Sequence, residues 1–525
     1  MPESTATPLS RRRFLAVAGA TALGAVTFGT VLEVLGQTNV AAGGLAHPDS
    51  ATGPGTGTIG SSPSSPTDSP GPTAGARHRY HSRPDLTPPV VDVVTPYGPA
   101  APGLTFLTPN NGAGSDGPLI VDNAGHPIWV RPDSNGSGAS TFRPITYLGQ
   151  PALSWWEGAN NNGIGVGEFV IADPAYRELA RVKAVGASQA DHHEFQVTPD
   201  GRVFLFSDAG VAASAVIGAA PQPWRVLDCA IQEIDITSGA LLFEWHAADH
   251  IGLDESYVAP PTTSGTLHDY VHANSIEIDT DGNLIVSARN TSTIYKIDRA
   301  TGAVMWRLGG KASDFRLGPG AAFSWQHDAR RQPDGSLSLF DDGAAPGTSR
   351  GLILALDEAS MSADLLREYH HAPPIRSTSE GNLQILPDGH VLIGWGSTSA
   401  YTEFTRDGQV VMDATFPASA TAYRDLRYPW AGRPIDRPAL AVEPAGAEMT
   451  VYASWNGATE IVRWQVLGGT SGGASAAALT PLAAGPWTGF ESTIVVGRRA
   501  PLVAVEAIDR DGHILGRSST VSLPA

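Results

Sequence analysis

His327-Asp-Ala-Arg-Arg-Gln-Pro-Asp334-Gly335-Ser-Leu-Ser-Leu-Phe340 joins two short alternating runs through a Pro-Asp-Gly turn, which is how a β-hairpin is written. Three more segments end on the same turn: His193 to Asp200-Gly201, Asn274 to Asp281-Gly282, and Gly381 to Asp388-Gly389. Weaker copies close at Asn123-Ala124-Gly125 and Tyr147-Leu148-Gly149, which makes six. Further strands follow each hairpin, as in Ser292–Asp298 then Gly302–Trp306, and Thr402–Phe404 then Gly408–Met412, giving four strands per unit. In the clearest part the units recur every 53 or 54 residues. Four-stranded antiparallel units at that spacing predict an all-β chain built on a six-bladed β-propeller, whose blades bury their faces on one another. A seventh blade would have to lie in the 81 residues between Gly201 and Gly282, where 209–223 and 246–266 read as loops.

The pattern changes near residue 440. Glu448–Trp455, Glu460–Val466, Glu491–Val496 and Leu502–Ala507 alternate with closely spaced turns, which predicts a fibronectin- or immunoglobulin-like β-sandwich over 441–525 after a propeller over 91–440. Trp455, Trp464 and Trp487 are expected to pack its core. At the other end, Ser10-Arg11-Arg12-Arg13-Phe14-Leu15 precedes a modestly apolar run, so residues 1–46 read as a twin-arginine export signal; a basic N-terminus before a membrane anchor is the alternative. Residues 47–90 are rich in Ser, Pro, Gly and Thr and read as a disordered tether. The expected destination is extracellular, cell-surface or periplasmic, with the twin-arginine translocation machinery as the partner in transit.

With a formal charge of −18, the chain is not expected to bind nucleic acid, because phosphate binding needs Lys/Arg clusters. An anionic ligand would need a local cationic pocket. The single cysteine, Cys229, rules out an intramolecular disulfide and a Cys-based zinc site and reads as a buried small hydrophobe. No cofactor is expected.

Three histidines stand out by register. His193 and His327 lie seven residues before the turn aspartate and His272 nine before it, so with a side-chain period of two they share a strand face and strand end. In a propeller those ends converge on the central channel. His370, His371 and His390 fall outside this register and read as surface residues. Asp341-Asp342-Gly343 reads as a turn, or as acids that could join His193, His272 and His327 around a divalent ion, although no His-x-His pair supports a metal site.

His272-Ala-Asn-Ser, Gln326-His327-Asp-Ala-Arg, Asp-Asp-Gly before Arg350-Gly, and Glu380-Gly-Asn-Leu-Gln-Ile-Leu-Pro-Asp-Gly with Gly394-Trp-Gly, taken in order, resemble the bacterial arylsulfotransferase family over roughly residues 100–430. The resemblance implies an exported propeller enzyme that moves a sulfuryl group from an aryl sulfate to a phenol without a nucleotide sulfate donor. It implies active-site roles for His272, His327 and Arg350. His327 would be nucleophile or acid, while His272 and Arg350 hold the sulfonate. Asn274, Asn382 and Trp325 are expected to contact substrate. Family members place a further, sulfurylated histidine in a late blade, where this chain reads Ser379-Glu380-Gly381-Asn382; His193 is the expected substitute. The family's second domain is N-terminal, unlike the C-terminal sandwich expected here. Two other functions stay open: a non-catalytic cell-surface binding propeller, and a metal-dependent propeller hydrolase or lyase.

Overall fold

The computed structural model describes residues 76–94, 99–133, 136, 138–161, 163–186, 189–343, 347–470 and 479–524. The expected export signal, and the expected tether up to residue 75, lie outside these. Among the described residues the regular structure is β, broken only by single-turn 3-10 segments at Ala213–Ala215, Ala247–Asp249 and Leu253–Glu255.

The hairpins form where the turn chemistry dictates. Gly201, Gly282, Gly335 and Gly389 take φ of 84, 82, 85 and 88°, a left-handed conformation that glycine adopts without a Cβ penalty. Leu148 and Gly149 both take positive φ in the two-residue turn after Tyr147.

Each hairpin extends into an antiparallel meander. The strands starting at Ala273, Leu284, Thr293 and Val304 form one sheet; those starting at His327, Leu337, Arg350 and Ser362 form the next, with Arg316–Leu317 added at its edge. Strands starting at Asn382, Val391, Ala400 and Val410 make another, completed by Asp92–Val94 from the N-terminal side. Leu426–Tyr428 pairs back onto Leu104–Leu107, so the two ends of this region share sheets. The strands of 139–182 and of 189–246 form two further meanders, fused into one nine-stranded sheet at Gly167↔Ala190. Residues 247–266 contain no strand, so the long interval before Gly282 is an insertion. Residues 209–212, expected as loop, continue a strand instead.

The first strands of successive meanders lie side by side: Ala139–Tyr147 by Gln189–Val197, then Ala273–Ile278, then His327–Arg331, then Asn382–Ile385. Leu426–Tyr428 returns to the strand at Ala139. Apolar clusters fill the spaces between sheets. Ile285, Ile294, Trp306 and Leu308 of one sheet pack on Leu337, Leu339, Leu352 and Leu354 of the next. The strands Leu284–Ala288, Thr293–Ile297 and Leu337–Asp341 are buried along their whole length, each large apolar side chain contributing roughly 1.5–3 kcal/mol.

Toward the C-terminus, one sheet contains Ala439–Ala445, Glu448–Ser454 and Glu491–Val496, and another is centred on Arg463–Gly469 and Leu502–Ile508. They share a core of Met449, Val451, Trp464, Val466, Val503 and Val505, with Trp455 and Trp487 packed against it. The tether assignment runs too far at its C-terminal side: Ser82 bonds Glu491 through its backbone N–H (2.6 Å) and touches Ser454 Oγ (2.7 Å), and Leu86 is buried in a core. A few apolar and hydrogen-bonding groups suffice to dock a segment whose composition is otherwise that of a linker.

Candidate active site

The left-handed turn that opens an inner strand recurs with a common anchor. His272 (φ 52°) precedes Asn274, and Glu380 (φ 69°) precedes Asn382, each by two residues. The amide of Asn274 donates to the Gln326 carbonyl at 2.8 Å. That of Asn382 donates to the Asp425 carbonyl at 2.9 Å, and Asn382 Oδ1 accepts the Asp425 N–H at 2.8 Å. Both asparagines are fully buried and clasp the neighbouring inner strand. Expected to contact substrate, both spend their amide nitrogens on backbone carbonyls, while Asn274 Oδ1 is buried without a partner among the described residues. The residue two places earlier, His272 in one sheet and Glu380 in another, therefore occupies the same structural position.

The register of the histidines brings them together. The His193 and His272 ring centroids lie 4.9 Å apart, and Tyr423 stands edge-on to His193 at 5.3 Å and to His327 at 6.4 Å. Tyr423 is fixed by its hydroxyl, which donates to the Asn274 carbonyl at 2.7 Å.

Each histidine turns Nδ1 to its own carboxylate. His193 pairs with Asp191, His272 with Asp269 at 2.5 Å, and His327 with Asp342 at 2.6 Å. A carboxylate on Nδ1 keeps the ring proton there and leaves Nε2 as the lone-pair nitrogen. The Glu380 backbone N–H donates to His327 Nε2 at 3.2 Å, so that nitrogen is capped. His193 Nε2 and His272 Nε2 make no hydrogen bond among the described residues. Burial, outweighing Asp191, pulls the His193 imidazole down to about 3; burial and then Arg289 hold that of His327 well below its usual range. Both rings are neutral at pH 7. Against burial, which opposes it, His193 and His192 keep the Asp191 carboxyl well below its ordinary value.

Arg350 is not brought to this cluster. Its guanidinium bonds Asp341 (3.0 Å), Glu368 (2.6 Å) and the Ala322 carbonyl (2.7 Å). Successive strand residues face opposite ways, so Asp341 carries Arg350 to one side while Asp342 meets His327 on the other. The cation on the histidine side is Arg289, which follows the strand Leu284–Ala288. It lies over the Trp325 ring at 4.7 Å, donates to the Thr378 carbonyl at 2.8 Å, and feels the charges of Asp342 and Asp269. Its Nε is buried and unpartnered among the described residues. Trp325 thus reaches the site as a platform for this cation. Behind the cluster, Glu194 ties Arg330, Arg424 and Arg143 together, and despite burial those arginines drive its carboxyl far below the usual range.

The ligand atoms of Asp191, His192 and His193 lie within 4.8 Å of one another and could hold a metal ion. Asp191 is already engaged, by His193 and by the Gly165 N–H at 2.7 Å. Asp341, bonded to Arg350, does not join the histidines, while Asp341 Oδ1 accepts the Gly343 N–H at 3.0 Å as in a turn. His370 is exposed, but His371 and His390 are half-buried on Asp413 and Glu403.

The strands Gln150–Asn161 and Ile164–Ala172 make a hairpin whose tip covers the cluster. A Cβ on Gly163 would lie 3.1 Å from His272 Cε1, and one on Gly165 2.5 Å from the His192 nitrogen. Arg289 and Tyr423 carry no motif in the sequence. Glu380 does carry one, since Glu380-Gly-Asn matches His272-Ala-Asn.

The model of the family described as arylsulfotransferase (ASST) matches residues 143–417, over half of the chain. No curated protein matches the sequence. Among solved structures, a protein of unknown function from Bacteroides caccae is similar over 62% of this chain and 99% of its own at 14% identity, with a TM-score of 0.38. Virginiamycin B lyase from Staphylococcus aureus is similar over 70% of this chain and 96% of its own at 9% identity, with a TM-score of 0.32. Scores this low leave fold and activity to the chain's own residues.

Proposed function

The chain belongs to the arylsulfotransferase family, and from that membership we propose that it moves a sulfuryl group from an aryl sulfate to a phenolic acceptor without a nucleotide donor. The observation that carries this reading is the meeting of three carboxylate-paired imidazoles, His193 against His272 and both His193 and His327 edge-on to Tyr423, with Arg289 beside His327. The neutral His193 Nε2 attacks sulfur, the S–O bond to the aryl group breaks, and a phenol then takes the sulfuryl group from the imidazole by the reverse step. Arg289, rather than Arg350, neutralises the sulfonate oxygens, with His272 beside it. Most of the rate gain comes from such fixed charge, one donor being worth about 2.7–4 kcal/mol.

In the same reading the five meanders, with the sheet of Leu104–Leu107, Leu119–Val121, Pro127–Val130 and Leu426–Tyr428 as a sixth, are blades of one propeller ring over 91–440, and the paired C-terminal sheets are a sandwich over 441–525. Residues 1–46 export the folded protein by the twin-arginine route to the cell surface, periplasm or medium. The segment after them, to about residue 75, tethers it.

The hairpin tip over His272 supports a second reading, a propeller that binds an anionic aromatic ligand without reacting. The test is incubation of the purified protein with 4-nitrophenyl sulfate and excess phenol. Transfer yields nitrophenolate and phenyl sulfate in equal amounts. Binding without either product assigns the protein to the second reading, and nitrophenolate with inorganic sulfate makes it a hydrolase.

A further inference from the structure

Sulfuryl transfer needs a proton handled as well as a sulfonate held. An unactivated phenolate is a poor leaving group, with a phenol pKa of about 10, and none of the three paired imidazoles is placed to protonate it, because each keeps its proton on Nδ1 toward a carboxylate.

Glu380 is an uncommitted acid at this place. It occupies the position of His272 in its own strand, with the same left-handed backbone and the same asparagine anchor two residues on. Its backbone N–H caps His327 Nε2, and the Gly381 N–H that follows holds the Tyr423 carbonyl at 3.0 Å, so its main chain is part of the cluster. Its Oε2 is sealed from solvent and makes no hydrogen bond among the described residues. A buried polar atom without a partner costs free energy and calls for an explanation. The titratable groups that face it are His192, His327, Asp342 and Asp425. Arg289 approaches through the Thr378 carbonyl. Both oxygens of Asp425 are themselves buried and unpartnered.

We propose that Glu380 is the acid–base residue of the transfer, an inference that rests on the sulfuryl-transfer reading above. In the first half-reaction the imidazole Nε2–S bond forms and the aryl O–S bond breaks, while the Glu380 carboxylic acid gives its proton to the departing aryl oxygen. In the second, the Glu380 carboxylate takes the proton of the acceptor phenol as its oxygen bonds to sulfur and the N–S bond breaks. Glu380 ends protonated, as it began. Burial, opposed by His192, lifts its carboxyl to about 7, where both roles are available near neutral pH. The substrate class follows: aryl sulfates and acceptors whose phenols are not activated by electron-withdrawing groups.

The test compares the wild type and Glu380→Gln on phenyl sulfate and on 4-nitrophenyl sulfate, whose leaving group needs no proton. Single turnover without acceptor isolates the first half-reaction, where loss of the general acid should slow aryl release about 10²–10⁴-fold from phenyl sulfate and only slightly from 4-nitrophenyl sulfate. Equal losses on both donors, or none on either, would overturn the assignment. A second measurement needs no variant: the wild-type single-turnover rate across a series of aryl sulfates should depend weakly on leaving-group pKa below pH 7 and steeply above it. A slope that does not change with pH also overturns it. A wild type that turns over neither donor removes the transfer reading itself, whereas turnover without the donor contrast removes only the role of Glu380.

Discussion

Arg289 and Arg350 differ in what their guanidiniums are free to do. Arg350 makes three hydrogen bonds to Asp341, Glu368 and a carbonyl, whereas Arg289 keeps a buried Nε unpaired beside His327 and Asp342. Arg289→Ala should lower kcat for aryl sulfate by about 10²–10³, while Arg350→Ala should leave kcat within a few-fold and shift only thermal stability; steady-state kinetics on both variants checks this. Glu380 makes a separate prediction about pH. Its folded-state pKa is raised from 4.5 to about 7, so its contribution to stability is present below 4.5 and is lost as pH rises through 7. Urea unfolding should therefore show the wild type losing up to about 3 kcal/mol relative to Glu380→Gln between pH 4.5 and 7; parallel pH profiles would contradict it. The three histidines were legible in the sequence because strand parity and a fixed turn give their direction. Arg289 was not, since it follows the end of a strand, where no periodicity applies. Arg350, expected from the family resemblance, pairs with Asp341 at the end of its strand, while Asp342, the next residue, turns to His327.

At the scale of the element, the asparagine clasps decide how inner strands meet. Removing Asn382 leaves the Asp425 N–H and carbonyl buried and unpaired, at about 1–3 kcal/mol for each group. Asn382→Ala should lower the urea midpoint accordingly, with KM for aryl sulfate unchanged. A raised KM at unaltered stability would return Asn382 to substrate contact. The Asp-Gly hairpins could be read directly, because a left-handed glycine after a short turn is a local requirement. The clasps could not, because an asparagine amide bonding a carbonyl 52 residues away leaves no local signature. The same holds for the docking of Ser82 on Glu491, which shortened the expected tether.

Over the whole molecule, interior sheets have no free-standing core. A fragment ending after residue 310 would expose Ile285, Ile294, Trp306 and Leu308, which pack on the following sheet, and should unfold without a cooperative transition; a sharp calorimetric transition would contradict this. Arg11→Lys with Arg12→Lys should leave precursor in the cytoplasm, as fractionation would show, and unchanged export would remove the twin-arginine reading. The central claim is that a neutral, carboxylate-paired imidazole of this cluster carries the sulfuryl group. Its most direct test is mass spectrometry of the protein after brief reaction with an aryl sulfate in the absence of acceptor. The account predicts one added sulfuryl group per chain, on the peptide containing His193, absent in His193→Ala and discharged by added phenol. An adduct on a residue outside the cluster, or turnover that persists undiminished in His193→Ala, would contradict it.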